Sequence, residues 1–259
     1  MARKLIIAAI ILLAGITAFS CMMIAKELKQ SKKESSEFEA LSAVVEEIPQ
    51  ETPEATPKEE LPSQTEEQKE SAVIHKRNLQ PLFDENPDCI GWLCIPDSNL
   101  DYPVMHTPDE PQKYLRRAFN GEYSISGVPF LNDSSTQESD NLVIYGHSMN
   151  NGTMFTDVIK YRNKSYWESH PSIEWETADG LSIFDVFAAV QLKENDMWYF
   201  FDSFEDEEQH QELLSHIMGM ALYDTGLTPE YGQQLMTLST CYGSSDDDRI
   251  IIIAMKRAE

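Results

Sequence analysis

The sequence is short of basic residues, of cysteines and of long apolar runs. It has 20 lysines and arginines against 44 aspartates and glutamates, and its formal net charge is −24. Because nucleic acids and anionic lipid surfaces are themselves negative, this composition argues against both as partners of the folded part. Residues 5–25 are the one run long and apolar enough to cross a bilayer, so the sequence does not predict a protein with several spans.

The 4 cysteines do not follow a metal-site spacing. Cys21 lies in the apolar run. Cys89 and Cys94 lie in DCIGWLCIPD, where a disulfide is one alternative for a protein outside the cell. Their odd separation places them on opposite faces of a regular strand, which favours buried thiols. Cys241 has no evident partner, and a free thiol outside the cell is open to oxidation, which points to a functional reason for it. We expect no metal and no cofactor.

The N-terminal segment predicts a membrane anchor over residues 1–28. A helix of about 20 apolar residues spans a bilayer, and a cleaved signal peptide would have a shorter apolar core. A lipidated Cys21 is the alternative, since residues 17–21 loosely resemble a lipoprotein cleavage site, although Phe19 is bulky for that pattern. Lysines lie on both sides of the span, so flanking charge does not fix its orientation. A short head before a first span normally stays inside, so we expect a single-pass protein with an extracytoplasmic domain.

Residues 29–75 predict an acidic linker without a fold. The stretch contains many glutamates and almost no aromatic residues, and its prolines are Pro49, Pro53, Pro57 and Pro62. Such a segment buries too little apolar surface to offset its conformational entropy, and proline and like charges keep it extended. Residues 76–259 have the length of one domain.

This domain is predicted to consist of short strands with a few helices. The predicted strands are residues 91–95, 100–105, 128–131, 141–145, 172–177, 181–192, 199–201, 234–241 and 249–256. Short helices are predicted at residues 79–84, 113–117 and 153–161. A longer helix with an apolar stripe is predicted at residues 204–223, with Ser203 as its cap. The pattern indicates a mostly β fold, a closed β-barrel decorated by helices.

Three residues at strand ends have the chemistry of an acyl-transfer site. Cys241 closes one predicted strand and Arg249 opens the next, so an antiparallel pairing places both at the same end of the sheet. His147 ends a third strand and can meet them across the barrel rim. A thiolate attacks a carbonyl, an imidazole moves protons near neutral pH, and a guanidinium stabilises an oxyanion.

Each of these residues also has an ordinary structural interpretation. A lone strand cysteine is often a small core residue, and a lone histidine is usually structural. The acidic run at residues 246–248 could compete for the guanidinium of Arg249 through exposed ion pairs of about 1 kcal/mol or less. The shared position at strand ends makes the three together a stronger indication than any one of them.

Four motifs make this chain resemble the sortases, and class B most closely. TLSTC ends at Cys241, and an arginine opens IIIIAMK in the following strand. NLVIYGHSMNNGTMF surrounds His147, and DCIGWLCIPDSNLDYPVMHTPDEPQKYL is similar to the opening of the class B barrel. The resemblance covers about residues 79–255. It implies a closed sortase-type barrel with an N-terminal helix and a long helix inserted before the cysteine strand.

The resemblance also implies a membrane-anchored cysteine transpeptidase of a Gram-positive cell. Such enzymes cleave a C-terminal sorting motif of secreted proteins and transfer the acyl group to an amine, commonly on a peptidoglycan precursor. It assigns Cys241 as nucleophile, His147 as acid and base, and Arg249 as the substrate and oxyanion partner. Ser239 and Tyr242 would line the substrate groove. Tyr242 stands where class B members can carry an acidic residue, and the loop from Cys241 to Arg249 is short, so the preferred motif stays open.

Three alternatives accompany this interpretation. A pilin-polymerising enzyme would use a lysine as the acceptor, and a simple cysteine peptidase would use water. A non-catalytic acidic surface-binding module is the alternative from another class. The presence of Cys241, His147 and Arg249 argues against the non-catalytic module, whereas the sequence does not separate the acceptors.

Overall fold

A closed β-barrel is the central feature of the protein. The computed structural model describes residues 2–45, 74–243, 245 and 247–258. Across these residues the strands close in the order β1-β2-β3-β4-β7-β8-β6-β5, and the β2–β3 and β4–β7 pairs are parallel. The strands are β1 Cys89–Cys94, β2 Asp101–Met105, β3 Phe130–Leu131, β4 Asn141–Tyr145, β5 Ser172–Thr177, β6 Gly180–Lys193, β7 Leu235–Cys241 and β8 Asp248–Lys256. The predicted closed barrel is confirmed.

Strand β8 shows how the sequence fills both sides of the barrel wall. Ile250 and Ile252 belong to the cluster inside the barrel, while Ile251 and Ile253 belong to the cluster on its outer face. All four are fully buried. A strand alternates its side chains between two faces, and β-branched residues suit this backbone, so a run of isoleucines serves two cores at once.

Five helices surround the barrel in the described part of the chain. They are α1 Ala2–Val44, α2 Gln80–Glu85, α3 Thr156–Lys160, α4 Lys164–Ser169 and α5 Glu207–Met220. Short 3-10 turns lie at Lys113–Arg116 and Met197–Phe200. The second turn corrects the strand predicted at residues 199–201, and α4 was not predicted. The apolar stripe of α5 packs on the outer face of the barrel, where Leu213, Leu214 and Ile217 are buried.

Helix α5 is shorter than the predicted 204–223 at both ends. Its cap is Asp206, which accepts from the Gln209 amide at 2.9 Å, and not Ser203. The helix begins late because the Phe204 amide is held at 2.9 Å by the Asp140 carboxylate. It stops early because Ala221 forms an isolated β-bridge with Val190 of β6. Long-range backbone partners, which are invisible in the local pattern, set both ends.

Helix α1 extends beyond the predicted anchor and reaches the barrel. Its apolar part is exposed, with Ile11 at 67%, Leu12 at 66% and Leu13 at 63%, and α1 is the described helix with the length and composition of a membrane span. The helix then continues to Val44, where the predicted linker should already have lost its structure. The ring of Phe38 contacts that of Tyr102 on β2 edge to face, with 5.2 Å between centroids.

The extension has a local cause in the sequence. Residues 26–44 are rich in good helix formers, the first proline of the region is Pro49, and Lys33 pairs with Glu37 one turn on at 3.3 Å. The linker prediction therefore differs from the structure over residues 29–44. Its remaining part, apart from residues 45, 74 and 75, lies outside the described residues, and the division into three regions stays a prediction.

The thiols of Cys89 and Cys94 are buried and unoxidised, as the sequence favours. Burial raises the pKa of each to about 12. A thiol with such a pKa is almost entirely protonated at neutral pH, so neither side chain is a reactive nucleophile. Cys241, by contrast, is exposed at the end of β7.

Candidate active site

The β7–β8 hairpin places the nucleophile candidate and the arginine side by side. Cys241 and Arg249 are direct partners in the antiparallel register, at the open end of the pair. Directly opposed residues of an antiparallel pair project to the same face, with Cβ atoms about 5 Å apart. The Tyr242 amide donates to the Asp248 carbonyl at 3.0 Å and closes the loop between the strands. The predicted proximity of Cys241 and Arg249 is thus built by the backbone.

Strand β4 brings the histidine to the same sheet end. It runs parallel to β7, with Tyr145 paired to Ser239. The Gly146 amide donates to the Ser239 carbonyl at 3.1 Å, and the Thr240 hydroxyl donates to the Gly146 carbonyl at 2.7 Å. These two bonds extend the pairing of β4 with β7 by one residue beyond the end of β4. His147 is the next residue and therefore lies beside Cys241 in the register.

Gly146 is required by the aromatic ring beneath it. A Cβ at this position would lie 2.6 Å from the ring of Phe155, which is fully buried. The Phe155 amide in turn donates to the His147 carbonyl at 2.9 Å. The backbone before and at His147 is therefore held between β7 and Phe155.

The His147 ring makes a hydrogen bond that fixes its protonation pattern. Nε2 lies 2.9 Å from the backbone carbonyl oxygen of Leu115. A carbonyl can only accept, so Nε2 carries the proton and Nδ1 is the acceptor nitrogen of the neutral ring. Burial lowers the pKa of His147, the bond to Leu115 opposes this, and the nearby Arg116 lowers it further. The imidazole is consequently neutral at neutral pH and able to take a proton.

The guanidinium of Arg249 lies at the cleft with an acidic neighbour. Its side chain is 17% exposed, and its Nη2 is 2.6 Å from the Glu194 carboxylate. Its Nη1 donates to the Asp248 carbonyl at 3.0 Å. Of the acidic run expected to compete for this guanidinium, Asp248 has its carboxylate paired with Lys193 at 2.5 Å. Asp246 lies outside the described residues.

These groups lie in one cleft of about 560 Å³. Cys241, His147, Arg249 and Ser239 all line it. The Ser239 hydroxyl is buried and lies 2.8 Å from the Tyr199 hydroxyl. The other lining residues that bear on the argument are Leu115, Asp133, Tyr145, Glu194, Tyr199 and Phe200.

Tyr242 lies elsewhere. Its ring stacks under the guanidinium of Arg162, with 4.7 Å from the guanidinium carbon to the ring centroid. It is not among the described residues that line the cleft. The structure therefore brings four of the five predicted site residues together and leaves Tyr242 outside.

The sequence did not point to Tyr199, Glu194 or Leu115 as parts of the site. Tyr199 stacks on Tyr145, with 6.0 Å between ring centroids, and forms one wall of the cleft. Burial raises the pKa of Tyr199, so its hydroxyl stays protonated. The aromatic run MWYFF was a signal for a packed wall, but Leu115 acts through its backbone and leaves no side-chain signal at all.

Taken together, the cleft contains an exposed thiol, a neutral imidazole and a guanidinium on a rigid sheet end. A neutral imidazole next to a thiol is the usual means of generating a thiolate at neutral pH. A guanidinium with several N–H donors can bind the oxygen of a tetrahedral intermediate. The arrangement is therefore suited to acyl transfer through a thioester.

Comparisons with known proteins agree with this chemistry. A family model described as the sortase domain matches residues 93–257. Sortase B of Listeria monocytogenes is 31% identical over 176 residues, covering 67% of this chain and 69% of that protein. Sortase B of Staphylococcus aureus is 27% identical over 188 residues, covering 70% and 76% respectively.

Solved structures give the same result for the fold. The Staphylococcus aureus sortase B–substrate complex superimposes with a TM-score of 0.65 at 26% identity, covering 69% of this chain and 84% of that one. Sortase B of Clostridium perfringens superimposes with a TM-score of 0.65 at 26% identity, covering 70% of this chain and 100% of that one.

Proposed function

Because this chain belongs to the sortase family and is a class B cysteine transpeptidase, we propose that it cleaves a C-terminal sorting motif of secreted proteins. The acyl fragment is then transferred through Cys241 to an amine of the cell wall precursor. The observation that supports this is the register of the β7–β8 hairpin, which sets Cys241 opposite Arg249 in the cleft that His147 also lines.

The first step is the formation of a thioester. Nδ1 of His147 takes the thiol proton, and the sulfur of Cys241 attacks the carbonyl carbon of the scissile bond. The carbonyl oxygen becomes an oxyanion that Arg249 stabilises, a contribution of about 3 kcal/mol in comparable sites. When the intermediate collapses, the C–N bond breaks and His147 returns its proton to the leaving amine.

The second step reverses the first with a new amine. The acceptor amine gives a proton to Nδ1 of His147 and attacks the thioester carbon. The C–S bond breaks, an amide forms, and the thiol of Cys241 is restored with the proton from His147. Water can replace the amine and would give hydrolysis, so the acceptor decides between transfer and cleavage alone.

The walls of the cleft suit an extended peptide. Ser239 and Tyr199 present paired hydroxyl groups, and Phe200 is 72% exposed at the rim. Apolar walls with a few fixed polar groups are typical of ligand sites. We place the sorting motif along this side of the cleft, with Ser239 as a substrate-binding residue. For Tyr242, a place in the substrate groove remains a prediction from the sequence.

The same proposal includes the location of the enzyme. Helix α1 carries the apolar run, and we place it across the membrane with the barrel on the extracytoplasmic side. Secreted proteins and a cell wall precursor would meet the cleft on that side. The acidic surface of the barrel, in a chain with a net charge of −24, would be repelled by anionic lipid headgroups.

A panel of sorting-motif peptides tests the proposal on the full chain in detergent. Each peptide is incubated with no amine, with triglycine and with a lysine derivative, and the products are identified by mass spectrometry. Cleavage with ligation to triglycine supports wall anchoring, whereas ligation to lysine alone would indicate pilin polymerisation. A folded chain that neither binds an acyl group nor cleaves any peptide would contradict the proposal. Cys241→Ala is the matched inactive control.

A further inference from the structure

A single carboxylate on helix α1 is buried against the barrel. Glu34 is 4% exposed, whereas the other residues of the helix from 26 to 44 are exposed or half-buried. Charged side chains are rarely buried without partners, because removing a carboxylate from water is costly. The partners of Glu34 therefore identify what this contact holds in place.

Glu34 binds the chain segment of residues 124–127. Its Oε1 accepts from the Ile125 amide at 2.8 Å and from Gln30 at 2.9 Å. Its Oε2 accepts from the Ser126 amide at 3.3 Å and from the Ser126 hydroxyl. Burial alone raises the pKa of Glu34, but the bonds from Ser126, Gln30 and Ile125 together hold it below its usual value. The group stays ionised and acts as an anchor for two consecutive amides.

This segment lies directly on the strip of chain from Tyr114 to Arg116. The Ser124 amide donates to the Arg116 carbonyl at 3.1 Å, and the Arg116 guanidinium donates to the Ile125 carbonyl at 2.7 Å. Gly127 lies so close to this strip that a Cβ at Gly127 would be 2.5 Å from the Tyr114 carbonyl oxygen and 2.7 Å from the Leu115 carbonyl oxygen. A shift of residues 124–127 must therefore move this strip.

The strip in turn holds the catalytic histidine. The Leu115 carbonyl is the acceptor of the His147 Nε2 proton at 2.9 Å. The series of direct contacts thus runs from Glu34 through Ile125 and Ser126 to Arg116 and Leu115, and ends on the imidazole.

A second contact of the helix reaches the loop after the histidine. The Asn151 side chain donates to the Ser31 hydroxyl at 2.7 Å, one turn before Glu34 on the helix. The Met154 amide of the same loop donates to the Tyr102 hydroxyl at 3.1 Å, and the Tyr102 ring packs against Phe38 of the helix. Helix α1 therefore touches the chain on both sides of His147.

We propose that the segment of α1 next to the membrane span is a positioning element of the catalytic site, with Glu34 as the positioning residue that fixes the hydrogen-bond acceptor of His147. The inference rests on the proposed role of His147 as acid and base. The helical part beyond the span, residues 26–44, is about 28 Å long at the rise of an α-helix. The membrane anchor and the orientation of the imidazole are then parts of one rigid connection.

The test compares Glu34→Ala and Ser126→Ala with the wild-type full chain in detergent. Loosening the strip lets Leu115 move away and admits water to His147, so kcat falls about tenfold in Glu34→Ala while KM changes less than about twofold. Loss of burial raises the pKa of His147 and loss of the Leu115 bond lowers it, and burial is the larger of the two influences, so the acidic limb of the rate profile moves to higher pH. Ser126→Ala also lowers kcat and moves the acidic limb to higher pH, but by smaller amounts. The double variant has the same kcat and the same limb as Glu34→Ala alone, because the two residues form one contact.

Glu39→Gln is the matched control, because Glu39 is an exposed glutamate of the same helix. It should keep the wild-type kcat and pH profile. The charged residues that share the surroundings of His147, namely Arg116, Asp133, Glu194 and Arg249, are retained in every variant. Arg116 moves with the strip, and because Arg116 lowers the pKa of His147, its movement away shifts the limb in the same direction as loss of burial.

An unchanged kcat and pH limb in Glu34→Ala would overturn the inference. A fall in kcat with an unmoved limb would overturn it as well, since general destabilisation would explain that result. If Glu34→Ala does not unfold cooperatively, the inference is tested instead with Ser126→Ala, by its kcat and by the acidic limb of its pH profile. An inactive wild-type chain would overturn the proposed function instead, and the inference is then judged by NMR titration of the His147 ring, where the Glu34 variant must raise its pKa.

Discussion

The guanidinium of Arg249 and the carboxylate of Glu194 are 2.6 Å apart at the mouth of the cleft. The Glu194 side chain is 52% exposed, so the pair is weak in water, at about 1 kcal/mol or less. The ion pair nevertheless holds the guanidinium N–H group of Arg249 that must turn to the oxyanion. The resting site therefore places a substitute anion on the guanidinium, and substrate has to replace it.

Glu194→Gln removes this competing anion. We expect kcat/KM to rise by up to about fivefold, the factor that corresponds to 1 kcal/mol. Added salt should raise the wild-type rate more than that of the variant, because screening weakens the ion pair between Arg249 and Glu194. Glu138→Gln, at an exposed glutamate that does not line the cleft, is the charge-matched control. A variant slower than wild type would mean that Glu194 assists Arg249 and does not compete with it.

Arg249→Lys keeps the charge and loses the planar fork of donors. We expect kcat to fall about 10²-fold or more, as on loss of an oxyanion donor, with a normal unfolding temperature. Steady-state peptide cleavage measures the first and thermal unfolding the second. Near-normal turnover by the lysine variant would remove Arg249 from the mechanism.

Gly146→Ala tests the support beneath the histidine. The new methyl group would meet the Phe155 ring at 2.6 Å, and relief of such overpacking costs about 1–3 kcal/mol of stability and shifts the backbone. We expect a lower unfolding temperature and a lower kcat, with partial recovery in Gly146→Ala/Phe155→Leu, where the ring is gone.

Gly219→Ala in α5 is the matched control for that substitution. Apart from its chain neighbours and the backbone of its own helix, no described atom lies within 4 Å of the position that its new methyl group would take, and alanine in place of a helical glycine is stabilising by about 0.5–1 kcal/mol. Activity should be unchanged. If Gly146→Ala behaves like Gly219→Ala, then Phe155 does not constrain His147.

Three buried or half-buried histidines make the domain sensitive to mild acid. Burial lowers the pKa of His106, His147 and His210 from an ordinary value of 6.5. The unfolded chain therefore binds protons before the folded one, so stability is complete above pH 6.5 and is lost as the pH falls below it. His210 is the simplest of the three histidines to test, because neither of its ring nitrogens has a hydrogen-bond partner within the described residues.

His210→Phe keeps the aromatic contacts with Phe204 and Tyr231 and cannot be protonated. We expect its unfolding temperature to fall less than that of the wild type between pH 7 and pH 5. Calorimetry across this range is the measurement. Parallel pH curves for the two proteins would show that His210 is not one of the titrating groups.

The parts of the site that came from the sequence share one property, which is that local patterns encode them. Alternation along residues 234–241 and 249–256 sets the two strands, and a short loop between them makes Cys241 and Arg249 partners. His147 follows from its place after a β-branched strand. These inferences need no knowledge of distant contacts.

The parts that the sequence missed depend on distant contacts. Glu34 looks like one of many linker glutamates until the Ile125 and Ser126 amides are seen around it. Helix α5 starts at Asp206 and not at Ser203 because Asp140, far away in the chain, holds the Phe204 amide. Leu115 contributes a carbonyl, which every residue has, so no side-chain pattern could have identified it.

The proposed mechanism depends above all on Cys241 as the carrier of the acyl group, and peptide mass spectrometry can detect that intermediate. The full chain is mixed with a sorting-motif peptide that it cleaves, in the absence of amine, then quenched in acid and digested. We predict a mass increase equal to the N-terminal peptide fragment on the digest product that contains Cys241, removed by triglycine and absent from Cys241→Ala. Product formation by Cys241→Ala, or an adduct on another residue, would contradict it.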